Sequence, residues 1–201
     1  MFALVESGSI TKYLNGNQGI QIGDLKYPRA IYTLWTEAER NAIGIYTVEY
    51  DDSNKKDEKW YINTDQSYAF ADNKVTGSYG SATAKSHADT LYTAQDETDG
   101  LGTEGDVRTE GLKTILIRQV KNDAERELNK TDWYVTRKAE KNTAIPNAIT
   151  THRDAVRSKQ AAMETAITNA SDTPALETLY TYTTQEDGSV TRPLGELPTL
   201  E

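Results

Sequence analysis

Two amphipathic stretches dominate the hydrophobic pattern of the chain. Leu112, Ile115, Leu116, Val120, Ala124 and Leu128 recur mostly every three or four residues, which places them on one face of a helix. Ile149, His152, Val156, Gln160, Met163 and Ile167 repeat that spacing in a second helix, expected to open near Thr150. Between them lies Thr131-Asp-Trp-Tyr-Val-Thr-Arg-Lys-Ala-Glu, where Thr131 and Asp132 are good N-cap residues for a short helix. Ile145-Pro146 is expected to end that helix, because the residue before a proline is pushed out of the helical region. The pattern predicts two long helices packed antiparallel, with the short helix folded into their corner and the Trp133 indole buried there as a wedge.

Residues 1–80 alternate with the shorter period of strands. Phe2-Ala-Leu-Val and Ser9-Ile-Thr-Lys-Tyr-Leu predict a hairpin turned at Ser7-Gly8, and Gly19 to Pro28 predicts another about Gly23-Asp24. Thr36-Glu-Ala-Glu39 is a capping box that opens a short helix after Trp35, and Gly44 supplies its positive-φ stop. Ile45-Tyr-Thr-Val-Glu-Tyr50 reads as a strand, β-branched and aromatic, with a polar loop after it. Lys59-Trp60-Tyr-Ile-Asn, Tyr68-Ala-Phe and Lys74 to Tyr79 suggest two or three more.

From Ser81 to about Asp106 Gly, Ser, Thr and acids prevail, which predicts a linker or long surface loop. After Tyr180 the chain has a hairpin candidate about Asp187-Gly188. It then reads Pro193-Leu194-Gly-Glu-Leu197-Pro198, an extended arm that must lie on something to be ordered. The expected fold class is α+β: a β-rich module with one or two short helices at 1–80, an acidic connector at 81–106, a three-helix unit at 107–180 and an arm at 181–201. That division predicts that the arm can be removed without loss of the fold.

Composition narrows the function. Hydrophobic residues make 36% of 201, and the mean hydropathy is −0.70, so the core is modest and the surface polar. No stretch approaches the ~18 apolar residues of a membrane span, and the N-terminus lacks the basic region of a signal peptide. A net charge of −9 argues against neutralising nucleic-acid phosphates. With no cysteine, disulfides and thiolate sites are excluded.

The search for chemistry returns nothing. Taking Gly100 as the sixth position of a calcium loop puts Gln95 first and Asp106 twelfth. The leading carboxylate and the closing Glu are then missing, and a solvated acidic loop is the better reading. His87 and His152 lack zinc spacing, and neither Ser7-Gly8-Ser9 nor Gly77-Ser-Tyr-Gly80 makes a nucleophile elbow or a phosphate loop. Arg137, Lys138 and Lys141 alternate with Glu140 as on a solvated helix face. Catalytic, cofactor and metal residues are therefore expected to be absent. The candidates for structural or interface roles are Trp133, Tyr134, Trp35, Trp60, Leu194 and Leu197.

The order of certain words in the chain resembles a family. Ile22-Gly-Asp-Leu-Lys-Tyr-Pro, Trp35-Thr-Glu-Ala-Glu-Arg and Ala42-Ile-Gly-Ile-Tyr are similar to small proteins of tailed bacteriophages. So are Gly111-Leu-Lys, Thr131-Asp-Trp-Tyr-Val-Thr-Arg-Lys-Ala-Glu, Ile145-Pro and His152-Arg-Asp-Ala-Val-Arg. Those relatives are tail-fibre assembly or minor tail proteins, and the likeness covers about residues 1–180; the segment after Tyr180 departs from it. The resemblance implies a non-enzymatic virion protein of the tail, made in the host cytoplasm, that bridges tail-fibre or baseplate components. The alternative is an assembly chaperone that leaves the particle. Implied partners are tail-fibre or baseplate proteins and a possible homo-oligomer, with neither nucleic acid nor membrane.

Overall fold

A computed structural model describes residues 1–200 as a mixed α+β protein with a curled sheet and, among those residues, seven helices. The chain divides into two compact units, Met1–Thr83 and Ala84–Glu201.

The first unit begins with β1 (Phe2–Glu6), β2 (Ser9–Leu14), β3 (Ile20–Ile22) and β4 (Leu25–Tyr27). Helices α1 (Ile31–Leu34) and α2 (Glu37–Ala42) follow, then β5 (Ile45–Asp51), β6 (Tyr61–Ile62), β7 (Ser67–Ala71) and β8 (Lys74–Ser78); β9 (Thr83–Ala84) marks its end. The main sheet has the order β2-β1-β5-β8-β7. β1 runs antiparallel to β2 and β5, β5 runs parallel to β8, and β8 pairs antiparallel with β7. The apolar run of β1 is buried on both faces. Leu4 joins Leu14, Ile20, Ile31, Tyr32 and Ile45 on one, while Ala3 and Val5 join Val48 and Val75 on the other.

Both hairpin turns within the sheet have two consecutive positive-φ residues, Ser7-Gly8 at 51° and 79° and Asp72-Asn73 at 49° and 59°, the geometry that matches strand twist. Gly44, at φ +81°, is required between α2 and β5, because a Cβ there would stand 2.6 Å from the Val5 carbonyl oxygen. The sheet curls until its edge strands meet through Tyr13 and Tyr68, with ring centroids 5.0 Å apart; Tyr46 and Phe70 stack at 4.8 Å.

The second unit corrects the expectation of a linker or long surface loop over 81–106. Residues 84–109 fold into β10 (Thr90–Leu91), α3 (Ala94–Thr98) and β11 (Val107–Thr109), with β10 and β11 paired. Thr93 and Asp96 form a capping box at α3. The Asp89 carboxylate accepts hydrogen bonds from Gly111 N at 2.6 Å and Thr114 Oγ1 at 2.8 Å, which anchors this excursion to the next helix. A segment with few apolar side chains is thus held by its acids, the feature that reads as linker in the sequence.

Four helices follow: α4 (Leu112–Asn129), α5 (Asp132–Lys141), α6 (Asn147–Asn169) and α7 (Thr173–Tyr180). The two foreseen stripes bury Leu112, Leu116, Val120 and Ala124 on α4 and Ile149, Val156, Met163 and Ile167 on α6; Ile115 alone is substantially exposed. α5 ends earlier than Ile145-Pro146 predicts, at a left-handed Asn142 with φ 53°, and α6 opens at Asn147 directly after Pro146.

The wedge is absent. α5 buries no residue, and Trp133 is 52% exposed. The corner is closed instead by Arg153 of α6, 8% exposed, whose Nη1 donates to the Leu128 carbonyl at 2.8 Å and to Thr131 Oγ1 at 2.7 Å and pairs with Asp132 Oδ1 at 2.8 Å. The last carbonyls of a helix lack intrahelical partners, and here the guanidinium adds to the two hydrogen bonds that Thr131 N and Oγ1 donate to the Leu128 carbonyl.

The C-terminal segment folds onto its own unit, and its removal is expected to disturb that unit. β12 (Thr183–Thr184) and β13 (Val190–Thr191) form the foreseen hairpin, with Gly188 at φ 81°. Beyond it Leu194 is 2% exposed, its N–H donates to the Leu179 carbonyl and its carbonyl accepts from Lys159 Nζ at 2.8 Å.

Candidate interaction surfaces

The candidate residues do not converge on one site. Trp35 is half-buried beside the first apolar cluster and meets Tyr27 edge-on at 5.9 Å, and its carbonyl accepts from Arg40 Nη1 at 2.5 Å. Trp60 is buried under the Lys59 ammonium, 4.5 Å from the ring centre. Leu194 is buried and Leu197 half-buried on the C-terminal segment. These four side chains are packed or partly packed within their own unit. Only Trp133 and Tyr134 are brought together as an outward-facing group.

That group is built by helical spacing. Trp133 and Tyr134 stack with centroids 4.0 Å apart, and Arg137, one turn on, lies 4.6 Å and 5.2 Å from the two ring centres. The Arg137 Nε is shut away from solvent without a hydrogen-bond partner. Val135 beside them is exposed. Lys138 and Lys141 extend the positive side of the helix, Glu140 is its one uncommitted acid, and Asp132 is taken by Arg153. In a chain of net charge −9 this helix is a locally cationic, aromatic face.

A second polar group lies between α4, α6 and the C-terminus. Glu127 is buried, with Oε1 3.2 Å from the equally buried His152 Nε2, within ion-pair range but outside hydrogen-bond geometry. The same oxygen accepts from Leu200 N at 3.2 Å, and Oε2 accepts from Lys130 Nζ. The Lys130 hydrogen bond holds the Glu127 carboxyl below its ordinary range, against the opposing effect of burial; the Leu200 N–H and the charges of Lys130 and His152 add to it. The chemistry available here is cross-linking of the fold. Among the described residues no group of three or more His, Cys, Asp or Glu could hold a metal ion, and no helix is long and apolar enough to cross a membrane.

The chain matches no known protein family, no curated protein and no solved structure. Its function has to be argued from its own geometry and sequence. Arg153 and Glu127 escape sequence reasoning, since an Arg inside an apolar stripe and a Glu beside it look like ordinary helix residues. The one signal is that Arg153 falls next to His152 on the face that α6 turns inward.

Proposed function

We propose that this chain is a non-catalytic structural protein of a bacteriophage tail, resident in the virion, that joins tail-fibre or baseplate components through protein–protein contacts. The observation that carries the binding role is the exposed Trp133–Tyr134 stack with Arg137 laid against it. Aromatic and Arg side chains are what interface anchors are made of, and they contribute most when a partner excludes water from them. Two compact units in one chain suit a protein that contacts more than one neighbour. The assignment to a phage tail rests on the sequence resemblance of residues 1–180.

Quantitative mass spectrometry of purified particles tests this reading. The chain is expected at a fixed stoichiometry to the tail proteins, and Trp133→Ala or Arg137→Ala is expected to deplete it from particles while leaving the protein folded. Presence during assembly but absence from finished particles would replace the structural role with that of an assembly chaperone.

A further inference from the structure

The second unit has two exposed surfaces of opposite charge, set apart by its own fold. One is the α5 face, where Trp133 and Tyr134 stack beneath Arg137. Every other arginine of the unit is ion-paired within the chain, from Arg108 on Asp96 to Arg192 on Glu196. Among the described residues Arg137 has no carboxylate partner, and Lys138 Nζ donates to a neutral acceptor, Asn142 Oδ1. A guanidinium lying on aromatic rings is held in one orientation and keeps N–H groups for a planar acceptor such as a carboxylate.

The other surface is the excursion that precedes α4. Leu91 and Val107, opposite each other across the β10–β11 pair, are both exposed, and so is Leu101 after α3. The same short segment carries Asp99, Glu104 and Asp106, none of them in an ion pair among the described residues. Helix α4 keeps the two surfaces apart. Asp89 and the Ser86 and His87 carbonyls tie the excursion to its first turn, whereas α5 leaves from its last. The 18 residues between span about 27 Å, so neither surface can cover the other within one copy.

We infer that the partner of the α5 face is a second copy of this chain, whose acidic excursion docks on Trp133, Tyr134 and Arg137. The Glu104 and Asp106 carboxylates meet the Arg137 and Lys141 cations, and an exposed leucine covers the indole. This rests on the reading of α5 as a binding face and names what it binds. A contact of α5 with α5 would set Arg137, Lys138 and Lys141 against their own copies, and two excursions would oppose acid to acid, so like charge excludes both. Unlike surfaces pair either reciprocally, in an antiparallel dimer, or in sequence, in a ring or row; the contact is the same in each. Charge steers the encounter, and the aromatic pair with Arg137 holds it once water is excluded.

The test is light scattering on the purified full chain, from tens of micromolar to about a millimolar. The mass is expected to rise with concentration above the 22.4 kDa of one copy. Raising sodium chloride from about 50 mM to about 500 mM should weaken the association about tenfold. Two double variants, each keeping the parent's circular dichroism, remove one surface apiece: Trp133→Ala with Arg137→Ala, and Glu104→Lys with Asp106→Lys. Each alone should associate at least about tenfold more weakly than the parent. Mixed in equal amounts they should form a 1:1 pair, because each supplies the surface the other lacks. The inference is overturned if the parent stays monomeric throughout, if either variant associates as the parent does, or if the mixture stays monomeric. A monomeric parent whose Trp133→Ala, Arg137→Ala variant is still depleted from purified particles would overturn it and leave α5 as a binding face, with another tail protein as the partner.

Discussion

The two units place aromatic and charged residues in opposite ways. In the first, aromatic side chains do the packing: Trp60 and Tyr61 are buried, and Tyr13–Tyr68 and Tyr46–Phe70 close the curl of the sheet. In the second, the aromatic pair Trp133–Tyr134 sits on an outward face, while Glu127, His152 and Arg153 are buried. The difference follows from backbone hydrogen bonding. A sheet satisfies its own N–H and C=O groups through its ladders, so apolar and aromatic side chains can fill both its faces. Helix ends leave carbonyls short of intrahelical partners, and where the end of α4 meets the start of α5 a buried guanidinium joins Thr131 in donating to the Leu128 carbonyl. Residue type by itself does not say where a side chain goes; the unsatisfied backbone around it does.

The comparison can be broken at several points. The largest effect is expected from Ile45→Ala, at a fully buried position of the first unit, which should cost about 2–5 kcal/mol in denaturant unfolding. Leu194→Ala should cost about 2–4 kcal/mol and raise amide exchange in α6 and α7, because this buried side chain holds the C-terminal segment down. An unchanged midpoint would return that segment to the status of a free arm. Arg153→Met should cost about 2–3 kcal/mol by removing the charged hydrogen bonds to the Leu128 carbonyl and the Thr131 hydroxyl.

Acid should discriminate the units further. Glu127 has a depressed carboxyl pKa in the folded state, so its contribution is present above the ordinary value of 4.5 and is lost as pH falls through the folded one. Melting curves taken downward from neutral pH should show the wild type losing more stability below that value than Glu127→Gln does. Parallel curves would show that the Lys130–Glu127–Leu200 cluster is not coupled to folding. The smallest effect is expected from Trp133→Ala, less than about 1 kcal/mol, since it removes a stack on the surface and no core contact. A larger loss would restore the indole to the corner.

Much of the local structure was legible before any packing was known. The Ser7-Gly8 turn, the Thr36–Glu39 capping box, the Gly44 stop and the stripes of α4 and α6 all follow from rules that act over a few residues. Residues 81–106 read as a linker or long surface loop because the anchor of this segment, Asp89 on Gly111 and Thr114, joins positions more than twenty apart.

Sequence alone therefore determined the apolar stripes of α4 and α6, the turns and caps of the first unit, and that the chain is acidic and free of cysteine. Tertiary structure decided the parallel pairing of β5 with β8, the exchange of Arg153 for Trp133 at the corner, and the docking of the C-terminal segment through Leu194. The reason is range: turn, cap and periodicity preferences are settled between near neighbours, whereas the demand that each buried polar group find a partner is met only once distant segments have come together.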